Sequence, residues 1–298
     1  MITNEEIESF LHGNDPEEFI VAIEFDYASN SIFKIKEIPG KGKEIRKDTF
    51  IPFAWVGDLR SLKFYNDSKM AQKEAMTKYG IVIDKLDTHD NPRLKRGLTF
   101  IVRSLKGYRE LISFFRDGGC DPWGEKAKDK ILILPPVEQY LISKEKRLFK
   151  GFEDYNMVTR LVFDLETTAL EPKDGRIFMI GIKTNKGYHR VIEAIDESQE
   201  KGAIIEFFNV INELKPSIIG GYNSANFDWH WIFERSKTLG IDVKKVCKSL
   251  HPDHSFTRKD NIIKLANEVE NYIQTSIWGY NVIDIIHAVR RAQAINSS

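Results

Sequence analysis

The run Arg160-Leu161-Val162-Phe163 ends in Asp164-Leu165-Glu166-Thr167-Thr168, and this short stretch limits the possible folds more than any other. A strand has a side-chain period of two. A strand through this stretch therefore sends Leu161, Phe163 and Leu165 to one face and Asp164 and Glu166 to the other. Two carboxylates side by side repel each other, and a fold tolerates them when a cation sits between them. Alone, an Asp-x-Glu pair is usually solvated charge. A second stretch, Gly221-Tyr222-Asn223-Ser224-Ala225-Asn226-Phe227-Asp228, brings a third carboxylate. It follows Lys215-Pro216-Ser217-Ile218-Ile219-Gly220, which reads as a helix end, a proline break and a short buried strand. Three oxygen donors of this kind suit Mg²⁺ or Mn²⁺, and a pair of such ions is a standard device for phosphodiester hydrolysis.

The 298 residues allow two domains with sizeable cores. Lys+Arg and Asp+Glu both number 44, so the net charge is zero. That balance argues against tight, autonomous binding of long duplex DNA, which calls for a basic surface. Cys120 and Cys247 are the two cysteines, too few for a disulfide framework and compatible with a reducing compartment. No apolar run is long enough to span a membrane, and Met1-Ile2-Thr3-Asn4-Glu5-Glu6 does not read as a signal peptide. The expected location is the cytoplasm.

The pattern predicts a short helix or tail over 1–16, strands over 19–26 and 31–38, a turn at 40–43 and a strand over 50–56. A helix over 68–79, a strand over 99–103 and a helix over 107–115 follow, the last stopped at Gly118-Gly119. A strand at 130–134 ends at two prolines, and 138–143 reads as a short helix. This is an α+β domain, expected to end near residue 155. The second domain, 156–298, reads strand, strand, strand, helix, strand, helix.

With these motifs in order, the chain resembles the proofreading 3′–5′ exonuclease domain of family B DNA polymerases. Phe163-Asp164-Leu165-Glu166-Thr167-Thr168 looks like that family's first exonuclease motif, and Gly221 to Asp228 like its second. Ile177-Phe178-Met179-Ile180-Gly181-Ile182, Phe207 to Leu214 and Glu234 to Ile241 resemble the intervening strand and the flanking helices. The likeness covers about residues 130–295 well and the earlier part loosely. It implies a mixed α/β fold, a ribonuclease H-like exonuclease domain preceded by a smaller α+β domain. It implies two metal ions, Mg²⁺ or Mn²⁺, held by Asp164, Glu166 and Asp228, and removal of nucleotides from single-stranded DNA 3′ ends. Thr167, Asn223 and Phe227 match positions that hold the single strand. The short, irregular form points to a viral member, acting in a host cytoplasm.

Such exonucleases also use a Tyr-x-x-x-Asp on a helix. Tyr280-Asn281-Val282-Ile283-Asp284 fits that string, and residues four apart on a helix share a face. On that reading Tyr280 orients the nucleophile and Asp284 is a further metal ligand. The spacing favours another reading, in which the segment is a strand running into a helix and the third motif lies beyond Ser298. The chain would then be part of a polymerase whose palm, fingers and thumb lie downstream or on a separate chain. It carries no polymerase motif of its own. Two alternatives follow from the same residues: a non-catalytic fragment that docks on a separate chain, and a free-standing exonuclease of the same superfamily.

Other candidates read as ordinary structure. His230 follows Asp228 but reads as an exposed helix-start residue, and Trp229 and Trp231 as core. The family's proline after the second-motif aspartate is absent. Cys247, His251 and His254 lack a fourth ligand for zinc, and Ser249 to Ser255 reads as a surface loop. Arg93, Lys95, Arg96, Arg103 and Lys106 form a basic stretch that suits a solvated face.

Overall fold

The structure, a computed structural model, describes residues 13–57, 69–85, 100–128, 130–251, 256–265 and 268–296. The chain divides into two compact units, Met1–Lys34 with Arg46–Lys150, and Ile35–Ile45 with Gly151–Ser298.

Strands β1 (Ile20–Asp26), β2 (Ser31–Ile38) and β3 (Gly42–Thr49) pair in that order. The next elements are β4 (Phe53–Val56), α1 (Lys69–Tyr79), β5 (Ile81–Lys85), β6 (Phe100–Ser104), α2 (Tyr108–Asp117), β7 (Ile131–Leu132) and α3 (Pro136–Ser143). Their sheet has the order β5-β6-β4-β7 with antiparallel neighbours. Helix α2 buries Leu111, Ile112, Phe114 and Phe115, the three-and-four spacing of a single helical face. It stops at Gly118-Gly119, and Gly119 takes a left-handed φ of 82° that a side chain would oppose.

The predicted strand at 50–56 is shorter than expected, and β3 was not expected at all. Gly42-Lys43-Glu44-Ile45-Arg46-Lys47-Asp48-Thr49 has no apolar alternation and is mostly exposed. It becomes a strand by pairing with β2. The expected helix over 1–16 lies mostly outside the described residues.

In the second unit, β8 (Arg160–Thr167), β9 (Ile177–Thr184) and β10 (His189–Glu193) lead to α4 (Glu197–Leu214). Then come β11 (Ile218–Gly221), α5 (Asp228–Thr238), α6 (Val243–Val246), β12 (Thr257–Leu265), β13 (Glu268–Ser276), β14 (Asn281–Asp284) and α7 (Ile285–Asn296). The sheet order is β10-β9-β8-β11-β14. Strand β9 runs antiparallel to β8 and β10, whereas β8, β11 and β14 are mutually parallel.

Alternation along β8 buries Leu161, Phe163 and Leu165 and leaves Val162, Asp164 and Glu166 exposed. The Phe163 ring lies 4.8 Å from Phe207 of α4 and 4.9 Å from Trp229 of α5. One aromatic cluster therefore joins the first motif's strand to the second motif's helix. Trp229 and Trp231 are both buried, as their core reading requires.

Glu200, in the first turn of α4, is fully buried. It accepts from Arg235 Nε at 2.8 Å and Nη2 at 2.6 Å, and from the Ile177 N–H at 2.9 Å. Arg235 Nη1 also donates to the Pro172 carbonyl at 3.2 Å. This bidentate pair ties α4, α5, β9 and the loop after β8 together. Nothing in local sequence singles it out, because Glu200 looks like an ordinary acidic first-turn residue. Glu37, which belongs to the same unit, accepts from the Thr159 N–H at 2.9 Å and from the hydroxyls of Thr159 and Ser217. Lys43 Nζ pairs with it at 3.5 Å.

Candidate active site

Three parallel strands end at one edge of the sheet. The pairings Gly220 with Val162 and Gly221 with Asp284 set the C-terminal ends of β8, β11 and β14 side by side. The crevice outside such ends is where sheets of this kind place their ligands. Asp164 and Glu166 project there from β8, both exposed on the face expected from the period of two.

Asp228 arrives from the other side as the first residue of α5, and is buried. The Leu165 N–H, between the two β8 carboxylates, donates to its Oδ1 at 3.1 Å. The turn that delivers it depends on local backbone. A Cβ on Gly221 would come within 2.6 Å of the Ser224 Cβ, so only glycine fits. Asn223 takes a left-handed φ of 58°, which its side-chain type tolerates. Burial pushes the Asp228 carboxyl up, and the charge of Asp164 adds to this. Its own and the Leu165 backbone N–H groups pull the other way and Asp284 adds a smaller push, for a pKa of about 7.

The strand-holding candidates lie on the same turns. Thr167 Oγ1 donates to the Ala169 carbonyl at 2.8 Å. Phe227 is half-buried, with its ring 6.2 Å from Trp231. Tyr222, next to Asn223, is exposed and was not singled out from sequence. His230 is half-buried in the first turn of α5.

The helical reading of Tyr280 and Asp284 is overturned. Asn281–Asp284 is the strand β14, and Tyr280 lies in the turn before it. Four strand residues advance the chain by about 13 Å, so the two side chains share no helical face. The Tyr280 ring is buried in the core, its hydroxyl has no hydrogen-bond partner among the described residues, and burial raises its pKa. Asp284 reaches the carboxylate edge, but from two strand spacings away from β8, about 10 Å. Among the described residues, no three His, Cys, Asp or Glu side chains converge into a metal-binding group.

Cys247 is fully buried, and burial pushes its thiol up to about 12. His251 packs 5.1 Å from the Trp278 ring, and His254 lies outside the described residues. In the basic stretch, Arg103 pairs with Asp84, and Lys106 donates to the Thr77 carbonyl at 2.6 Å. Arg93, Lys95 and Arg96 lie outside the described residues. No helix among the described residues is long and apolar enough to cross a membrane.

The unit is thus a five-stranded mixed sheet with Asp-x-Glu on its central strand and a third aspartate opening α5, the mixed α/β class expected from the sequence. The chain belongs to DNA polymerase family B, because the model of that family's exonuclease domain matches residues 140–298. A DNA polymerase of Thermococcus gorgonarius is 34% identical over 119 residues, 36% of this chain and 15% of the relative. DNA polymerase 2 of Aeropyrum pernix is 31% identical over 96 residues, 31% of this chain and 12% of the relative. The DNA polymerase of Phaeocystis pouchetii virus is 29% identical over 119 residues, 36% of this chain and 11% of the relative. The solved family B DNA polymerase from Pyrobaculum calidifontis superposes with a TM-score of 0.57 at 16% identity, over 90% of this chain and 36% of that one. At that identity the likeness shows the fold. The chain thus spans about a third of the solved polymerase.

Proposed function

We propose that this chain is the 3′–5′ exonuclease portion of a family B DNA polymerase, cutting phosphodiesters at single-stranded DNA 3′ ends. The observation that carries the reading is the grouping at one sheet edge of exposed Asp164 and Glu166 with buried Asp228. Their donor set fits hard divalent cations such as Mg²⁺ or Mn²⁺: all carboxylate oxygen, with one member whose charge is costly unless a cation offsets it. Asp164, Glu166 and Asp228 are the residues that would hold them. Such ions supply, when bound, an activated water and a counter-charge for the leaving 3′ oxygen.

The chain's own groups bind and orient. The Leu165 N–H fixes the Asp228 carboxylate against β8. Asn223, left-handed in the turn after β11, carries an amide of the kind that bonds a nucleotide. Phe227 offers a ring edge for a base, and Thr167 a hydroxyl. On this reading the substrate is a single-stranded 3′ end, whose unstacked bases are free to meet these groups. The polymerase palm, fingers and thumb are the natural partners, downstream or on another chain.

The test is digestion of a 3′-labelled single-stranded oligonucleotide with Mg²⁺ or Mn²⁺, comparing the intact chain with Asp164→Ala. Cleavage that falls at least about 10³-fold in the variant supports the reading. A folded chain that binds the oligonucleotide but leaves it intact in both metals favours the non-catalytic docking fragment.

A further inference from the structure

Asp284 spends both carboxylate oxygens on backbone donors. Its Oδ1 accepts from the Ile286 N–H at 3.1 Å, at the start of α7. Its Oδ2 accepts from the Ala225 N–H at 2.9 Å. The carbonyl of the same alanine accepts from Arg258 Nη2 at 3.2 Å. Arg258 comes from the base of the β12–β13 hairpin, with its guanidinium 5.4 Å from the Phe233 ring. Phe233 in turn stacks on Phe256 at 5.9 Å. Ala225 is thus held at both its backbone polar groups, by two side chains far from it in sequence.

This residue sits in the middle of the turn that carries Asn223, Phe227 and Asp228. Among the described residues, few local hydrogen bonds hold this turn. Asn223 is left-handed, and Phe227, which precedes α5, has no side-chain cap. The local backbone bonds are Phe227 N–H to the Asn223 carbonyl at 3.1 Å and Trp229 N–H to the Ser224 carbonyl at 2.9 Å. Ala225 is buried, so its N–H and carbonyl must find protein partners or lose the hydration they had in the unfolded chain. A carboxylate and a guanidinium, both charged, make stronger partners than neutral groups.

We propose that Asp284 and Arg258 are positioning residues, which clamp Ala225 from two sides and hold the second-motif turn in its working shape. Asp284 therefore acts through Ala225 and is not a metal ligand. The clamp also links the hairpin base to the carboxylate edge. The proposal rests on the exonuclease reading for its kinetic consequences, but the clamp itself is a property of the protein alone.

The experiment compares Asp284→Asn, Arg258→Met and the double variant. Hydrogen exchange of the Ala225 amide is followed by NMR on the protein with neither DNA nor metal. The expected result is exchange about tenfold or more faster in Asp284→Asn, with amides of β9 and α4 unchanged. With single-stranded DNA, both single variants should lose kcat about tenfold while the Mn²⁺ concentration for half-activity stays within about twofold of the unmodified chain. The double variant should lose far less than the product of the singles, because both act on one residue. The proposal is overturned by unchanged Ala225 exchange in Asp284→Asn, by multiplying losses, or by a tenfold rise in the Mn²⁺ requirement, which would make Asp284 a ligand. An unmodified chain with no nuclease activity would sink the functional reading, and the exchange measurement would still decide the clamp.

Discussion

Arg235→Met is the substitution whose cost the structure defines best. Methionine keeps much of the apolar stem and removes the charge. Glu200 has no exposed surface, and it would keep only the Ile177 N–H of its three donors. Removing one partner of a buried ion pair costs about 3–5 kcal/mol, since the remaining charge is stranded. The lost bond from Arg235 to the Pro172 carbonyl adds about 1 kcal/mol. At about 2–4 °C per kcal/mol for a domain of this size, the second unit should melt roughly 10–20 °C lower. Unfolding followed by tryptophan fluorescence and circular dichroism measures it. Adding Glu200→Gln to the same chain removes the stranded charge and keeps an acceptor for Ile177, so it should recover about 2–3 kcal/mol. The reasoning is refuted if Arg235→Met lies within about 1 kcal/mol of the unmodified protein. It is refuted equally if the double variant is no more stable than the single one.

Three further outcomes follow from particular contacts. Gly221→Ala forces a Cβ to within 2.6 Å of the Ser224 Cβ, so it should destabilise by about 1–3 kcal/mol and lower cleavage more than it lowers the melting temperature. Tyr222→Ala removes an exposed ring beside Asn223 and should raise KM for single-stranded DNA about tenfold with kcat little changed, while Tyr222→Phe stays near the starting value. In the first unit, burial alone would raise the Glu17 carboxyl, but hydrogen bonds from Lys146 at 2.8 Å and Lys34 at 2.7 Å bring its pKa from 4.5 to about 2. A carboxyl lowered in this way stabilises the fold above pH 4.5, by about 3 kcal/mol, and the contribution is lost as pH falls through about 2. Glu17→Gln should therefore flatten the loss of stability between pH 5 and pH 2, measured as urea midpoints, and an unchanged slope would count against the assignment.

Much of the carboxylate edge was legible because its signals are local. Leu161, Phe163 and Leu165 alternate with Asp164 and Glu166, and period two is a property of any strand whatever its neighbours. Gly221 and Asn223 mark a tight turn by their residue types, and the aromatic-rich start of α5 marks a buried helix. The Tyr280 and Asp284 assignment failed because a four-residue spacing means a shared face only inside a helix. Asn281-Val282-Ile283-Asp284 instead pairs with β11, so the reading as a strand running into a helix matches the backbone. The β12–β13 hairpin, nine residues on each side, was not foreseen. Its polar and apolar residues do not mark one buried face.

Sequence alone determined the strand faces, the helix and turn signals, the three carboxylates and the family likeness, since each depends on residues a few positions apart. Tertiary structure alone decided that Asp284 meets Ala225, that Arg258 grips the same residue, and that Glu200 finds Arg235. These partners are 59, 33 and 35 residues apart. Such pairings come from the packing of whole elements, in which buried polar groups must find partners, and no local periodicity records which partner that will be.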